Sequence, residues 1–148
     1  MIRIVPMSDS NLPDATHAAL LLWPEHSAAE LEEELTALLE NKNAAAFLAY
    51  SGTLAVGFAQ CGLRCDYVEG THTSPVGYLE GIFVREDFRR QGIASALLAV
   101  CRSWCRRMNC SEFASDCGIS NTASLKFHLH SGFTEANRLI CFVQKLKS

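Results

Sequence analysis

Two acidic residues lie next to hydrophobic segments, where carboxylates are uncommon. Glu80 interrupts Tyr78 to Val84, the most strand-like segment of the chain, and Asp116 follows the short hydrophobic stretch around Phe113. A carboxylate in an apolar strand has its pKa raised by burial, while a bound cation lowers it again. Such a group can accept a proton from a substrate, and an acid at a strand end can hold a cationic group. Glu80 and Asp116 are therefore the first candidates for proton transfer and cation binding.

Each of these acids also has an ordinary structural explanation. Glu80 could form a salt bridge, or face solvent at a strand bulge near Gly81. Asp116 could cap a turn before Gly118, which is a common role for aspartate. Glu135, a third candidate ligand for an ammonium group, could equally be a solvated strand residue.

Aromatic residues and charge extend the candidate substrate side. Trp23 and Tyr67 lie at loop edges, where a ring can stack on a sugar or a cation, although packing at the core edge would explain them too. Residues 1–80 carry eleven acidic and three basic residues, whereas residues 81–148 carry five acidic and ten basic ones. An acidic first half suits a cationic substrate, and a basic second half suits a phosphorylated cofactor.

A glycine turn joins the strand that contains Glu80 to an amphipathic helix. The turn consists of Arg89, Arg90, Gln91, Gly92, Ile93 and Ala94. Backbone N–H groups at a helix start bind a pyrophosphate readily, and glycine permits a close approach. The two arginines add positive charge. The alternative is an ordinary strand-to-helix turn with a solvated arginine pair.

The remaining pattern predicts the elements that position these residues. We expect one α/β domain over residues 1–148, with the order βααβββαβαβ. Ser27 and Glu30 have the spacing of a capping box that begins a helix ending near Glu40. Residues 45–50 and 54–63 read as a hairpin, residues 64–77 as a functional loop, and residues 139–146 as a terminal strand.

Composition excludes several classes of protein. The seven cysteines are odd in number and lack repeated CxxC spacing, which favours reduced, mostly buried thiols and no metal site. No apolar run reaches membrane-spanning length, and no signal peptide is recognisable, so we expect a cytoplasmic protein that does not bind a membrane. The net charge of −3 argues against a nucleic-acid partner.

The glycine turn matches the Q/R-x-x-G-x-G/A signature of the GNAT superfamily of N-acetyltransferases, which the order of elements also resembles. Further similarity is to the bacterial aminoglycoside 6′-N-acetyltransferases. The segments that carry it are Leu79 to Val84, Ala114 to Asp116, Gly132-Phe133, Trp23-Pro24 and Asp66 to Val68. The resemblance implies a central mixed, mostly antiparallel sheet with splayed central strands flanked by helices. It also implies acetyl-CoA as donor, a cationic aminoglycoside as acceptor, antibiotic resistance and a homodimer.

The same resemblance assigns site residues. Glu80, Asp116 and His128 are the expected catalytic residues. At the position of His128 many relatives have a tyrosine that protonates the departing thiolate; His128 could do the same, or it could be a spectator, since a CoA thiolate can leave unaided. Substrate contacts are expected from Trp23, Tyr67, Glu80, Asp116 and Glu135. Cofactor contacts are expected from Ile82, Phe83, Val84, Arg89, Arg90, Gln91, Gly92, Ile93, Ala94, Ser95 and Asn121.

Two other functions remain open on the residues alone. The same cofactor could serve a peptide amino terminus, a protein lysine or a polyamine as acceptor, since the glycine turn does not distinguish them. The chain could also be a non-catalytic acyl-CoA-binding module that keeps the fold without activity.

Overall fold

The computed structural model describes residues 1–147, which form two compact units, 1–116 and 117–147. The first unit contains β1 (Ile2–Pro6), α1 (Leu12–Leu22), α2 (Ala28–Leu39), β2 (Ala44–Ser51), β3 (Leu54–Arg64), β4 (Val76–Val84), α3 (Ile93–Arg107) and β5 (Phe113–Ala114). The second unit contains one helix, α4 (Thr122–His130). That the whole chain forms one domain stays a prediction.

One mixed sheet organises the first unit. Its strands lie in the order β1-β2-β3-β4-β5, with antiparallel pairing throughout except for the parallel pair β4–β5. This confirms the expected mostly antiparallel sheet with flanking helices. The parallel pair is short, because only Gly77 and Tyr78 of β4 face residues of β5. Beyond Tyr78, β4 continues to Val84 without β5 beside it, which is the expected splay of the central strands.

The helices cover both faces of the sheet. Helices α1 and α2 pack on one face over a core that includes Ala19, Leu31, Leu48 and Phe58. Helix α3 packs on the other face, where Leu97 lies against Gly57. The expected capping box begins α2, with Ser27 Oγ accepting from the Glu30 N–H at 3.1 Å and Glu30 Oε1 accepting from the Ser27 N–H at 3.3 Å. Burying apolar area on both faces stabilises the sheet.

The cysteines follow the expectation only in part. Cys61, Cys101 and Cys105 are fully buried between β3 and α3. Hydrogen bonding to Cys101 raises the pKa of the Cys61 thiol, and hydrogen bonding to Cys61 raises that of Cys105, so both are protonated at neutral pH. The exposed thiols contradict the expectation that most cysteines are buried; they are Cys65, Cys117 and Cys141.

The expected terminal strand over residues 139–146 is wrong. Residues 133–147 contain neither helix nor strand. Their apolar side chains are largely exposed, with Ile140 at 81%, Phe142 at 90% and Val143 at 95%. A strand needs the backbone of a neighbouring strand to pair with, and alternation of apolar residues does not supply that neighbour.

The loop between β3 and β4, residues 65–75, is held at two points, near its start and near its end. Val68 is buried against Val76 and Tyr78. The Glu112 carboxylate accepts hydrogen bonds from the His72 N–H at 2.8 Å, from the Thr73 N–H at 2.7 Å and from the Thr73 hydroxyl. The hydroxyl bond is the largest cause that holds the pKa of Glu112 below its ordinary value of 4.5. A charged Glu112 therefore orders the loop.

We predict that acid releases this loop through Glu112. A depressed pKa means that the carboxylate's contribution is present above the ordinary value and is lost as pH falls through the lowered one. In wild-type protein, hydrogen exchange at the His72 and Thr73 amides should accelerate in that range relative to the Leu63 amide, which bonds to the Asn43 carbonyl. In Glu112→Gln, protection of the two loop amides should be weak already at neutral pH. If exchange at these two amides accelerated in acid by the same factor in the variant as in wild type, this prediction would be contradicted.

Candidate functional site

A bulge in β4 places Glu80. Gln60 pairs with Gly81 and the next residue, Cys61, pairs with Leu79, so Glu80 is the extra residue of the strand. A bulge reverses the alternation of side chains that follow it. A Cβ on Gly77 would meet Cys105 of α3, whereas one on Gly81 would meet Trp23 beside α1. These two residues would share a face in a regular strand, and here they face opposite sides.

The bulge corrects one detail of the sequence prediction. Regular alternation would put Tyr78, Ile82 and Val84 on one face with Glu80. Tyr78 lies before the extra residue and stays on the face opposite α3. Ile82 and Val84 come after it and lie on the α3 face, because they pair with Ala59 and Gly57. The candidate base therefore has Tyr78 as its neighbour and is separated from the two aliphatic residues by the sheet.

Arg64, at the end of β3, holds Glu80. Its Nε donates to Glu80 Oε2 at 3.1 Å and its Nη2 donates to Glu80 Oε1 at 2.7 Å. This is the two-point fork that arginine and carboxylate geometry favour. The side chains are 44% and 30% exposed, so the pair is in contact with water. The bond to Glu80 is the largest cause that raises the pKa of Arg64.

Tyr78 connects the same arginine to the second acid. The Arg64 guanidinium carbon lies 3.5 Å from the centre of the Tyr78 ring, and the Tyr78 hydroxyl donates to Asp116 Oδ2. Burial and then this hydrogen bond raise the pKa of Tyr78, so the phenol is a donor at neutral pH. Glu80, Arg64, Tyr78 and Asp116 thus form one connected set of side chains, named the carboxylate network below.

Both structural alternatives for Glu80 are present, a salt bridge and a bulge. Neither prevents a functional role, because the pair is accessible to solvent. The Asp116 side chain accepts from the Tyr78 hydroxyl, a contact that the turn-capping alternative does not require. Base and substrate-binding roles for these two acids stay predictions.

The two candidate aromatic residues have different surroundings. Trp23 ends α1 and packs edge-on against Phe58, with ring centres 6.4 Å apart, and it also touches Gly81 beside the bulge. These contacts are those of core-edge packing. Tyr67 is 78% exposed on the loop of residues 65–75, and its hydroxyl donates to Glu69 at 3.3 Å. Its substrate contact and that of Trp23 stay predictions.

The glycine turn has the backbone that its sequence predicts. Arg90 and Gly92 both adopt left-handed conformations, with φ of 65° and 77°. Gly92 is the N-cap of α3, and no side chain caps this helix start. The first N–H groups of a helix have no acceptor within it, so α3 presents backbone donors next to Arg89 and Arg90. Arg89 Nε donates to the Val84 carbonyl at 3.0 Å, which ties the turn to the end of β4.

Three predicted residues belong to the second unit, residues 117–147. Asn121 caps α4, its side chain accepting from the Ser124 N–H at 3.1 Å. His128 lies on α4, with Nδ1 2.7 Å from the Ser124 carbonyl and its ring packed near Phe133. Glu135 pairs with Arg138 at 2.8 Å. The roles of all three stay predictions.

Sequence reasoning missed the two residues that connect the acids, Arg64 and Tyr78. Arg64 was assigned to a loop, but β3 includes it, and it pairs with Val76 in the strand register. Gly62 stands directly opposite Tyr78 and has no side chain, so the diagonal neighbour Arg64 covers the ring. A basic residue two positions beyond a glycine that faces an aromatic residue indicates such a ring contact, but this pattern can be recognised only once the strand register is known.

Among residues 1–147, no group of three or more His, Cys, Asp or Glu side chains could hold a metal ion. Within the same residues, no helix has the length and apolar character needed to span a bilayer.

The sequence and the fold match known proteins. Residues 15–133 match the model of the acetyltransferase (GNAT) family. The aminoglycoside N(6′)-acetyltransferase type 1 of Acinetobacter genomosp. 13 is 40% identical over 142 residues, which cover 95% of this chain and 97% of that protein. The corresponding protein of Salmonella typhimurium is 40% identical over 121 residues, 82% of this chain and 83% of its own length.

Two solved structures have nearly the same fold. The aminoglycoside acetyltransferase AAC(6′)-Iy, in complex with a bisubstrate analogue of CoA and acetylneamine, superposes with a TM-score of 0.95 at 35% identity and covers 98% of this chain and 99% of its own. AAC(6′)-Ih from Acinetobacter baumannii gives 0.93 at 36% identity, over 99% and 100%. The chain therefore belongs to the acetyltransferase (GNAT) family.

Proposed function

We propose that this protein transfers an acetyl group from acetyl-CoA to the 6′-amino group of aminoglycosides, which gives resistance to these antibiotics. The observation that carries the proposal is the 40% identity to an aminoglycoside N(6′)-acetyltransferase over 95% of the chain. The carboxylate network supports it independently. Two acids joined through Arg64 and Tyr78 beside the splayed part of β4 suit an acceptor with several ammonium groups.

The first unit offers a fitting surface for the cofactor. The start of α3 supplies backbone N–H donors from Gln91, Gly92, Ile93, Ala94 and Ser95, with Arg89 and Arg90 adding positive charge for the pyrophosphate. Ile82, Phe83 and Val84 lie in the part of β4 that extends beyond β5, where an amide-bearing pantetheine arm can pair with backbone. Asn121 is a further proposed contact. Acetyl-CoA supplies the activated thioester.

The proposed chemistry is direct attack of the amine on the thioester. The ammonium group must first lose a proton, and Glu80 accepts it, directly or through a water. The amine nitrogen then bonds to the acetyl carbon, the bond from carbon to sulfur breaks, the CoA thiolate leaves, and the nitrogen gives its second proton to water to form the neutral amide. His128 is the proposed donor of a proton to that thiolate. Asp116 and Glu135 hold other ammonium groups of the substrate, and Trp23 and Tyr67 contact its rings.

We predict thiol release from acetyl-CoA with aminoglycosides that carry a 6′-amino group. The assay measures free CoA with a panel of such aminoglycosides, a 6′-hydroxyl analogue, a basic peptide and spermidine. Turnover should require the 6′-amino group. Turnover with the peptide or spermidine alone would replace the proposed acceptor, and cofactor binding without any amine-dependent release would identify a non-catalytic acyl-CoA-binding module.

We predict that Glu80→Gln lowers kcat/KM for an aminoglycoside by roughly 10²-fold at neutral pH, because the amide cannot accept the proton. The KM for acetyl-CoA should change little, since Glu80 is not among the proposed cofactor contacts. The control is Glu40→Gln, which removes an exposed carboxylate at the end of α2, outside the proposed site. It should leave kcat/KM for the aminoglycoside and KM for acetyl-CoA unchanged. A pH–rate profile identical to that of wild type would exclude Glu80 as the base.

We also propose a homodimer formed through the C-terminal segment. Its exposed apolar residues include Leu139, Ile140, Phe142 and Val143, and several large apolar side chains exposed close together in the chain favour an association site. A second copy of the chain can provide the backbone partner that the alternating sequence needs to form a strand.

Light scattering should therefore give about twice the 16.3 kDa mass of the chain. Phe142→Ser with Val143→Ser should shift the population towards monomer, whereas Leu54→Ser, at an exposed apolar residue that begins β3, should not. A wild-type monomer at micromolar concentration would contradict the dimer.

The proposed compartment is the cytoplasm. Cys65, Cys117 and Cys141 are free and exposed, and such thiols persist in reducing compartments.

A further inference from the structure

The arrangement of Arg64 is more specific than a contribution to stability requires. An ion pair in contact with water contributes little to folding, and both members of this pair are partly exposed. Yet Arg64 uses two separate nitrogens on the two oxygens of Glu80 while its guanidinium carbon lies over the Tyr78 ring. Fixing two long side chains this way has an entropic cost. The result of that ordering is a defined orientation of the carboxylate.

We infer that Arg64 is a positioning residue, which orients the Glu80 carboxylate while it is itself held over the Tyr78 ring. This inference rests on the proposed function, in which the two acids face the amine. Arg64 itself is assigned no contact with the substrate. Its effect on the reaction passes through Glu80.

The bulge makes such a device necessary. Glu80 is the extra residue of β4, so it has no directly opposed residue on β3 whose side chain could restrict its rotamers. Arg64 reaches it from the end of β3. Positioning within about half an ångström is what catalytic geometry demands, and a misplacement of about 1 Å can cost about 10²-fold in rate.

The chemistry of the side chain explains why an arginine is needed. The planar guanidinium can donate in parallel to both carboxylate oxygens and simultaneously stack on an aromatic ring, whereas a lysine ammonium is a point charge that cannot do both. The charge alone is therefore insufficient. Arg64→Lys keeps the positive charge and loses the two-point hydrogen bonding to Glu80. Arg64→Met keeps the approximate side-chain length and loses both the charge and the hydrogen bonds.

The chain contains a matched control at the opposite edge of the sheet. Arg3 of β1 lies over the Tyr50 ring, with its guanidinium carbon 5.1 Å from the ring centre, and the Tyr50 hydroxyl donates to Asp14 at 2.6 Å. This set repeats the arginine, tyrosine and aspartate of the carboxylate network without a glutamate. Arg3→Met therefore removes a comparable contact where no role in catalysis is proposed.

The decisive experiment is a double-mutant cycle on Arg64 and Glu80, with thiol release and thermal unfolding measured for each variant. Arg64→Met and Arg64→Lys should each lower kcat about 10-fold with an aminoglycoside, in keeping with a partial loss of orientation. The KM for acetyl-CoA should change less than about twofold, and Arg3→Met should match wild type. In the Glu80→Gln background, Arg64→Met should cause less than about a further twofold loss, because its effect passes through Glu80.

The inference would be overturned by wild-type kcat in Arg64→Met, by full activity in Arg64→Lys, by an equal loss in Arg3→Met, or by a multiplicative loss in the double variant. A lower KM for the aminoglycoside in Arg64→Met would also overturn it, since Arg64 would then compete with the substrate for Glu80. If Arg64→Met fails to fold, the cycle is run with Arg64→Lys. Failure of the proposed function is distinguishable, because wild-type protein would then show no aminoglycoside-dependent release.

Discussion

The extra residue in β4 governs how the two faces of the sheet are used. Before the bulge, Gly77 faces α3, and after it, Gly81 faces the junction of α1 and Trp23. Both contacts are too close for a side chain, because a Cβ on either glycine would lie 2.5 Å from a neighbouring atom. The helices on both faces therefore fix the position of the bulge, and the bulge holds Glu80 out of the regular ladder. Packing of the helices against these two glycines thus decides where the acid lies.

The electrostatics of the site follow from that placement. Glu80 and Asp116 contribute two negative charges, and Arg64 contributes one positive charge. The network keeps one net negative charge for a cationic substrate, while Arg64 limits the repulsion between the acids. Tyr78, protonated because burial and Asp116 raise its pKa, connects the two carboxylates without adding charge. A site with the same carboxylates and no arginine would attract a polycation more strongly but would orient it less.

The same sheet also separates the two proposed binding functions. The β4–β5 pairing ends at Tyr78, and from there β4 leads to the turn that begins α3. The carboxylate network lies where the pairing ends, and the uncapped helix start lies past Val84, at the other end of the strand. Arg89 ties the turn to the adjacent end of β4 by its bond to the Val84 carbonyl. One strand can therefore place an amine beside Glu80 and a pyrophosphate beside Gly92.

The sequence by itself determined the features that depend on local chemistry. The capping box at Ser27, the left-handed Gly92 before a helix, and the order of elements from β1 to α4 are set by residues near one another in the chain. The match of motifs also identified the family. Only the tertiary structure decided the partner of Glu80, because that depends on a register between strands that a single extra residue shifts. It likewise decided that residues 139–146 form no strand here, since alternation specifies which side chains would face a neighbour and cannot provide one.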